Sequence, residues 1–381
     1  MDQVLMIAAE ASSVTYAQRI LELWKKQGRK IHAFGVGSQE MEDLGFERFG
    51  KSEEMAVVGA AEVISHYSDL KKVFNRIVDE CEKRRPKVAV VMDYPGFNLM
   101  LAKKLHEMKI PVVYYISPQV WAWKKGRVKT IKQYCEKVLV LFPFETKFYE
   151  EHQVPVEFVG HPLLDEMDEK LLDPTYLKTH RNQCGIRDDE IVLGLMPGSR
   201  RQELKQHFQV QLDTARILAK KHKNLKVVIL TAPNFSKDKM LDYLEDFRLP
   251  YILLKDEPFR MIHLVDMMLV ASGTATLQVG LLHKPMVIMY RVNWLTALIA
   301  RMIVTSKFFG LVNLILNKFA VPENFQGQAN PENLAKQLDR YITDSQHKAS
   351  VVNDLAQLRQ HLGDKGVTER VVKSLDEYLT K

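Results

Sequence analysis

Short runs of apolar, often β-branched residues alternate with amphipathic segments along the whole chain. In the first half these runs predict strands at Val4–Ala9, Lys30–Val36, Lys87–Met92, Pro111–Ile116, Lys137–Phe142 and Val156–Val159. In the second half they predict strands at Ile191–Met196, Lys226–Thr231, Tyr251–Leu254, Met267–Ala271 and Pro285–Tyr290. Amphipathic patterns predict intervening helices, for example at Tyr16–Gln27, Leu70–Lys83 and Gln202–Lys221. Repeated strand–helix units with continuously apolar strands are typical of parallel sheets covered on both faces.

Eleven predicted strands are more than a single twisted sheet usually contains. A polar stretch at Leu163–Arg187 separates the two series, so we place a linker there. We therefore expect an α/β protein with two Rossmann-like, doubly wound domains that face each other across a cleft. Ligands of such sheets bind at the carboxyl ends of the strands. The expected parts are domains over 1–165 and 188–345, followed by a helical tail over 346–381 that could pack back on the first domain.

Composition excludes disorder, because 46% of the 381 residues are hydrophobic and 27% are charged. The net charge of +7 favours acidic partners such as phosphates, anionic membrane surfaces or nucleic acid. Nucleic acid is disfavoured, since the basic residues are scattered over both halves and no recognised nucleic-acid module is present. The three cysteines have no metal or redox spacing, which fits a reducing compartment.

The N-terminal stretch MDQVLMIAAEASS has no basic region, so it is read as a first buried strand and not as a signal peptide. No charge-free apolar run approaches the length of a membrane-spanning helix. We therefore expect a cytoplasmic protein, which lies on the membrane if it meets one.

Two predicted strands end in glycine-containing turns that open helices. In LGLMPGSRRQELKQH, residues 193–207, a strand is followed by Gly198, Ser199 and Arg200. In VASGTATLQVG, residues 270–280, the corresponding residues are Ser272, Gly273 and Thr274. Free N–H groups at a helix start and a nearby arginine favour an anion. An ordinary capped turn is the alternative for each, but two together could hold the phosphates of a nucleotide diphosphate. Neither is a Walker A loop or a GxGxxG sequence.

Candidate acid–base residues lie at the same kind of strand end in the first half. Asp93 follows a buried strand, and Asn98 lies on the helix that begins after it. Asp93 could accept a proton from a hydroxyl nucleophile, although a turn or capping aspartate is the alternative. Glu10 follows the first strand and could be a polar neighbour or a helix cap. His161, near the linker, fits a structural role better than a catalytic one.

Two stretches combine aromatic and basic residues. Trp121, Trp123, Lys124 and Arg127 lie in ISPQVWAWKKGRVK, residues 116–129, which suits a surface where apolar and anionic matter meet. Residues 286–326 carry an apolar face that begins at Trp294 and is flanked by Arg291. An interfacial membrane or acyl-chain surface is one interpretation of this segment. A buried core helix or an oligomer contact is the other.

Together these stretches are similar to the lipid-A-disaccharide synthase family, in order and over nearly the whole chain. In the first half the similar segments are AEAS (9–12), GVGSQEM (35–41), MAVVGAAEVI (55–64), DYPGFN (93–98), YYISPQVWAWKKGRV (114–128), LFPFE (141–145) and FVGHPLLD (158–165). In the second half they are LMPGSRRQE, ASGTATLQ, MVIMYR and VPENFQ. The resemblance implies an inverting, metal-independent glycosyltransferase of the two-Rossmann (GT-B) type, without a cofactor.

The family joins UDP-2,3-diacylglucosamine to 2,3-diacylglucosamine 1-phosphate at the inner face of the cytoplasmic membrane. The resemblance implies that Asp93 is the base, with Glu10 beside it. It also implies a UDP-sugar site and an acceptor or membrane site. The UDP-sugar set is Gly198, Ser199, Arg200, Ser272, Gly273, Thr274, Gln278, Glu323 and Gln326. The acceptor or membrane set is Trp121, Trp123, Lys124, Arg127, Asn98, Arg291 and Trp294. A homo-oligomer remains open.

The chain departs from the usual family pattern at several positions, among them VPENFQ where the family has VPELLQ. The family usually reads GEASGD near the N-terminus, where this chain has Ser13 and Val14 in place of the last two residues. It also usually has glutamate where this chain has Gln278. These changes favour a divergent member, with altered substrates or a silent lipid-binding role as alternatives. Another two-Rossmann UDP-sugar enzyme, such as a peptidoglycan glycosyltransferase or an epimerase, is the remaining alternative.

Overall fold

The computed structural model describes residues 1–55, 60–118, 120, 126–232, 235–255, 257–293 and 307–380. The chain forms two compact units, the first of Met1–Asp165 with Leu362–Lys381 and the second of Glu166–His361. The first boundary lies within the polar stretch that the sequence assigns to the linker. The tail over 346–381 divides between the units at Leu362.

The first unit has a parallel sheet of seven strands. These are β1 (Asp2–Ala8), β2 (Ile31–Gly37), β3 (Glu47–Lys51), β4 (Val88–Met92), β5 (Val112–Tyr115), β6 (Lys137–Val140) and β7 (Val156–Phe158). Their order is β3-β2-β1-β4-β5-β6-β7. The helices between them are α1 (Ala11–Lys26), α2 (Gln39–Asp43), α3 (Ser52–Met55), α4 (Ala60–Arg84), α5 (Pro95–Glu107), α6 (Arg127–Tyr134), α7 (Pro143–Glu151) and α8 (Leu163–Glu166).

The second unit has a six-stranded parallel sheet. Its strands are β8 (Ile191–Met196), β9 (Leu225–Leu230), β10 (Tyr251–Leu254), β11 (Met267–Ala271), β12 (Met286–Tyr290) and β13 (Glu323–Phe325), in the order β10-β9-β8-β11-β12-β13. Its described helices are α9 (Pro174–Gln183), α10 (Arg201–Lys221), α11 (Lys237–Leu244), α12 (Pro258–His263), α13 (Ala275–Leu281), α14 (Leu311–Leu316), α15 (Pro331–Thr343), α16 (Ser345–Ala356) and α17 (Leu358–Leu362). Two 3₁₀ turns lie at Glu169–Leu172 and Gln326–Gln328.

The last helix, α18 (Val367–Leu379), belongs to the first unit. Its start is capped by Asp165, whose carboxylate accepts the backbone N–H groups of Gly366 at 2.7 Å and Val367 at 3.1 Å. Farther along, Asp376 forms a bidentate ion pair with Arg29. Asp165 and Arg29 therefore anchor the C-terminal helix α18 to the first unit.

All eleven predicted strands are confirmed, because each overlaps an observed one. The central strands β1 and β4 are almost entirely buried, as expected for parallel strands covered on both faces. Two observed strands, β3 and β13, were absent from the prediction. Both are edge strands of only five and three residues, and both include polar, partly exposed positions. They therefore lack the continuous apolar run that identifies a central strand.

None of the helices that the structure describes combines the length and the apolar composition needed to cross a membrane.

Candidate active site

Two carboxylates meet at the point where the strand order of the first sheet reverses. This reversal lies between β1 and β4, which pair in parallel with Ala8 opposite Met92. Asp93 comes directly after Met92, and Glu10 comes two residues after Ala8. The carboxyl edge at such a reversal is where open α/β sheets bind ligands. The structure therefore brings the two expected acid–base residues together.

The backbone of Asp93 is held in a conformation that few side chains adopt. Its φ is +47° and that of Tyr94 is +38°, both in the left-handed region. The Asp93 N–H donates to the carbonyl of Ile116 at 3.2 Å. Its own carbonyl accepts the Tyr114 hydroxyl at 2.6 Å and the Asn98 amide at 2.7 Å. These contacts fix the main chain from which the carboxyl side chain projects.

The surroundings of Asp93 favour its protonated form. Burial, together with repulsion from the carboxylates of Glu10 and Glu145, raises the pKa of this carboxyl to about 7. Glu145 is itself buried. Its carboxylate accepts the N–H groups of Leu141 and Phe142 at the start of α7, so its buried charge has hydrogen-bond partners. A carboxylate that titrates near neutral pH is well matched to proton abstraction from a hydroxyl group.

Asn98 holds the main chain at Asp93 through its side-chain amide. Its side chain is fully buried, and its amide nitrogen donates to the carbonyls of Met92 at 2.9 Å and Asp93 at 2.7 Å. The sequence assigns Asn98 to the acceptor site. Its observed contacts are with the main chain that carries Asp93, so its role here is to position that residue.

His161 has the contacts of a structural residue. It is buried, and its Nδ1 accepts the N–H of Leu163 at 3.2 Å. Its ring packs on Phe142 with centroids 5.4 Å apart. Burial lowers the pKa of this imidazole to about 3, so the ring is neutral at physiological pH. The structure supports the structural interpretation of this histidine.

The second unit repeats this geometry with its two glycine-containing turns. The strand order reverses between β8 and β11, and Met196 pairs with Val270. The turn over 197–200 leaves β8, and the turn over 272–274 leaves β11. The structure therefore brings both predicted anion-binding turns to one edge of one sheet.

In the first of these turns, the start of α10 is capped by the carboxylate of Glu203, a residue of the same helix. Gly198 has a φ of +114°, and a Cβ there would lie 2.5 Å from Glu203 Oε2. That oxygen accepts the N–H groups of Ser199 at 3.0 Å and Arg200 at 3.2 Å. The sequence predicts that these N–H groups are free for an anion; instead, Glu203 satisfies them, since unpaired donors at a helix start need a partner. The Arg200 side chain is 51% exposed.

The second turn is more open. The Ser272 hydroxyl donates to the carbonyl of Phe309 at 3.1 Å, so this side chain links the turn to a neighbouring loop. Gly273 and Thr274 are exposed, and Gln278 is half-buried one turn into α13.

Glu323 and Gln326 hold loops at the same end of the sheet. Glu323 accepts the N–H groups of Phe309 at 2.9 Å and Gly310 at 3.0 Å, together with the Asn313 amide at 2.8 Å. Burial raises the pKa of this carboxyl, and its three hydrogen bonds oppose that rise.

Gln326 pairs with both backbone groups of Val292, receiving its N–H at 3.2 Å and donating to its carbonyl at 2.9 Å. Glu323 and Gln326, both expected in the UDP-sugar site, therefore contact loop backbone in the second unit.

Parts of the two aromatic and basic stretches fall outside the residues that the structure describes. Trp121, Trp123, Lys124 and Trp294 lie in the gaps. Arg127 begins α6 in the first unit, and Arg291 follows β12 as a half-buried residue of the second unit.

Comparison with known proteins decides the family. Residues 4–374 match the family model described as lipid-A-disaccharide synthetase. A lipid-A-disaccharide synthase from Anaeromyxobacter dehalogenans is 34% identical over 375 residues, which cover 98% of this chain and 97% of that protein. The chain belongs to the lipid-A-disaccharide synthase family. The resemblance in the sequence is therefore confirmed over nearly its full length.

Solved structures place this family member among the GT-B proteins. A UDP-GlcNAc 2-epimerase from Neisseria meningitidis, bound to UDP-GlcNAc, has a TM-score of 0.65 and 15% identity, covering 99% of this chain and 100% of its own. MurG from Acinetobacter baumannii has a TM-score of 0.59 and 14% identity, with coverage of 99% and 100%. At these identities the likeness shows the fold alone, and the prediction of two Rossmann-like sheets is confirmed.

One of the departures from the family pattern near the N-terminus, Ser13, has a defined structural role. Ser13 is fully buried, and its hydroxyl accepts the N–H of Glu10 at 3.0 Å and donates to the Glu10 carbonyl at 2.8 Å. Val14 is also buried, with 8% exposure. Ser13 thus closes the first turn of α1 and holds the backbone of Glu10, one of the two carboxylate residues.

Sequence reasoning missed three polar residues of α10 in this synthase family member. Glu203, His207 and Gln211 all contact backbone at the carboxyl edge of the second sheet. A signal for them was present, because they are spaced four residues apart and so share one face of a helix. On a helix that covers a sheet, polar residues on a buried face need partners within the protein.

Proposed function

We propose that this protein transfers the 2,3-diacylglucosaminyl unit of UDP-2,3-diacylglucosamine to the 6-hydroxyl of 2,3-diacylglucosamine 1-phosphate. The products are the β-1,6-linked disaccharide 1-phosphate and UDP. The observation that carries the proposal is Asp93, whose pKa is raised to about 7 on a fixed backbone at the strand-order reversal. Membership of the lipid-A-disaccharide synthase family supplies the reaction that this geometry suits.

In this reaction one bond forms as another breaks. The acceptor oxygen bonds to the anomeric carbon of the donor sugar, the bond from that carbon to the UDP oxygen breaks, and the hydroxyl proton passes to Asp93. A single displacement inverts the anomeric centre. The raised pKa of Asp93 suits it to take the proton as the oxygen becomes nucleophilic. Glu10, which raises that pKa, is the second carboxylate of the site.

We assign donor binding to the second unit. The departing UDP gains negative charge that cations can stabilise. Arg200 supports this role, because its guanidinium is half-exposed at the start of α10. Gly198, Ser199, Ser272, Gly273 and Thr274 lie at the same sheet edge, with Gln278, Glu323 and Gln326 on the elements around it.

We assign acceptor binding to the first unit and expect the protein to lie on the inner face of the cytoplasmic membrane. Both substrates carry acyl chains, and a net charge of +7 favours anionic lipid. One feature of the second unit supports contact with lipid. Phe319 is 63% exposed, and the Lys307 ammonium lies 5.4 Å from the centre of its ring. Aromatic and long basic side chains together suit an interface of apolar and anionic groups.

The test is a choice between two reactions available to this fold. The pure protein is incubated in EDTA with both acylated substrates, and separately with UDP-GlcNAc alone. The proposal predicts release of UDP and a tetraacylated disaccharide 1-phosphate in mass spectra, with UDP-GlcNAc unchanged. Epimerised UDP-GlcNAc without disaccharide would contradict it and favour an epimerase. Binding of the acylated substrates without any product would favour a silent lipid-binding protein.

A further inference from the structure

Three polar residues of α10 join parts of the second unit that the sheet itself does not join. The turn over 197–200 leaves β8 and Arg291 follows β12, while β11 lies between these two strands. At about 4.8 Å per strand the two strands are roughly 10 Å apart, so no backbone ladder connects their ends. Side chains of α10 span that distance instead.

His207 makes the central connection. Its ring is fully buried, and its Nδ1 lies 2.9 Å from the carbonyl oxygen of Pro197. Its Nε2 lies 3.0 Å from the backbone nitrogen and 3.1 Å from the carbonyl oxygen of Arg291. Nδ1 faces only a carbonyl oxygen, which accepts, whereas Nε2 also faces the Arg291 N–H, so Nδ1 carries the hydrogen. Burial lowers the pKa of this imidazole, so the ring is neutral and Nε2 is free to accept the Arg291 N–H. One ring therefore ties the glycine-containing turn to Arg291.

The residues one turn away on either side make parallel connections. Glu203 Oε1 accepts the Arg200 guanidinium at 3.2 Å and the Tyr290 hydroxyl at 3.3 Å. Gln211 is fully buried and donates to the carbonyls of Met196 at 3.1 Å and Leu269 at 3.3 Å, and its amide nitrogen also lies 3.7 Å from Met289 Sδ on β12. The three side chains form a polar ladder, Glu203–His207–Gln211, along the carboxyl edge of β8, β11 and β12.

This ladder links the backbone of Arg291 to the turn over 197–200 and so changes the role expected for Arg291. The sequence groups Arg291 with the acceptor or membrane residues, yet its backbone is one imidazole ring away from the turn that carries Arg200. We propose that His207 is a positioning residue that holds Arg291 beside the 197–200 turn, so that both arginines serve the diphosphate of the donor. The inference rests on the proposed function, since it presumes a UDP-sugar at this edge.

A double-mutant cycle on UDP affinity tests the proposal. The variants are His207→Phe, Arg291→Gln and the double substitution, each measured by titration calorimetry with UDP. In the wild type the His207 and Tyr290 ring centroids lie 5.3 Å apart. Phenylalanine keeps a ring that can pack on Tyr290 and removes the hydrogen bonds to Pro197 and Arg291. Each single variant is expected to weaken UDP binding about tenfold, and the double variant no more than either. Multiplied effects in the double variant would overturn the proposal, because His207 would then not act through Arg291.

Two further variants separate positioning from general stability. His222 caps the other end of α10 and bonds Asp339 at 2.7 Å, so His222→Phe is the matched control. It is expected to lower the melting temperature and leave UDP affinity unchanged. His207→Asn keeps a donor near the Nδ1 position and is expected to restore part of the lost affinity, with the acceptor KM unchanged throughout.

If His207→Phe does not fold, His207→Asn takes its place in the cycle with Arg291→Gln. Unchanged UDP affinity in a folded His207 variant would overturn the inference. Failure of the wild-type protein to bind UDP would instead overturn the proposed function itself.

Discussion

The hydroxyl of Tyr114 donates a hydrogen bond of 2.6 Å to the main-chain carbonyl of Asp93. Tyr114 is fully buried on β5, next to β4, so this bond runs from one central strand to the residue that follows another. Together with the Asn98 amide it holds a left-handed backbone in place. The candidate base is thus positioned by residues that do not themselves reach a substrate.

Tyr114→Phe is expected to lower kcat by roughly tenfold, because the Asp93 carbonyl loses the shorter of its two side-chain hydrogen bonds. The stability loss should be about 1 kcal/mol, the typical net value of one hydrogen bond. Tyr149→Phe is a matched control, since Tyr149 is also fully buried in the first unit and its hydroxyl donates to Ser117 at 2.7 Å. It should cost similar stability and leave kcat unchanged. Equal rate losses in the two variants would argue against a positioning role.

The pH dependence of activity should follow Asp93. Its pKa of about 7 predicts that kcat/KM rises with pH through neutrality and levels off above it, because only the carboxylate accepts a proton. Initial rates between pH 5.5 and 9 give this profile. A flat profile across neutrality would mean that another group, or none, takes the proton.

The same pKa predicts a cost in stability. Asp93 titrates near 3.8 in the unfolded chain and near 7 in the fold, so its contribution to stability falls as pH rises through that window. Asp93→Asn should therefore gain stability relative to wild type between pH 4 and pH 8, on the order of 2–4 kcal/mol. Denaturant unfolding at both pH values measures this, and the opposite sign would contradict the raised pKa.

Gly198→Ala should weaken UDP binding by at least tenfold. Gly198 has a φ of +114°, and an added Cβ would lie 2.5 Å from Glu203 Oε2, so the turn and its cap must both shift. Gly96→Ala is the control, because a Cβ at Gly96 meets nothing within 4 Å. Calorimetric titration with UDP should find the control unchanged. Wild-type UDP affinity in a folded Gly198→Ala protein would remove this turn from the donor site.

Gln278→Glu should tighten donor binding. A carboxylate accepts hydrogen bonds from ribose hydroxyls more strongly than an amide oxygen, by about 1 kcal/mol, or roughly fivefold in affinity. Gln278 is half-buried on α13, near the second glycine-containing turn. The donor KM and UDP affinity of Gln278→Glu and of Gln278→Ala measure the effect. If the glutamate and alanine variants weaken binding equally, Gln278 does not accept from the ribose.

The sequence was sufficient to predict the strands that are buried on both faces, because a run such as Val88–Met92 has only one environment that suits it. It also placed Asp93 and the turn at Gly198 correctly at strand ends. It did not reveal that Asn98 turns inward to the main chain, or that Glu203 caps the helix start. Those contacts depend on side-chain direction and on which strands become neighbours, and local patterns carry neither.

The most direct test compares disaccharide formation by wild type and Asp93→Asn in EDTA, with UDP affinity measured on both. Asparagine tolerates the left-handed backbone of this position and nearly matches the shape of aspartate. Wild type is expected to form the disaccharide, and the variant to do so roughly 10²–10⁴-fold more slowly with equal UDP affinity. A variant as fast as wild type would contradict the role of Asp93, and a folded wild-type protein that makes no disaccharide would contradict the proposed reaction.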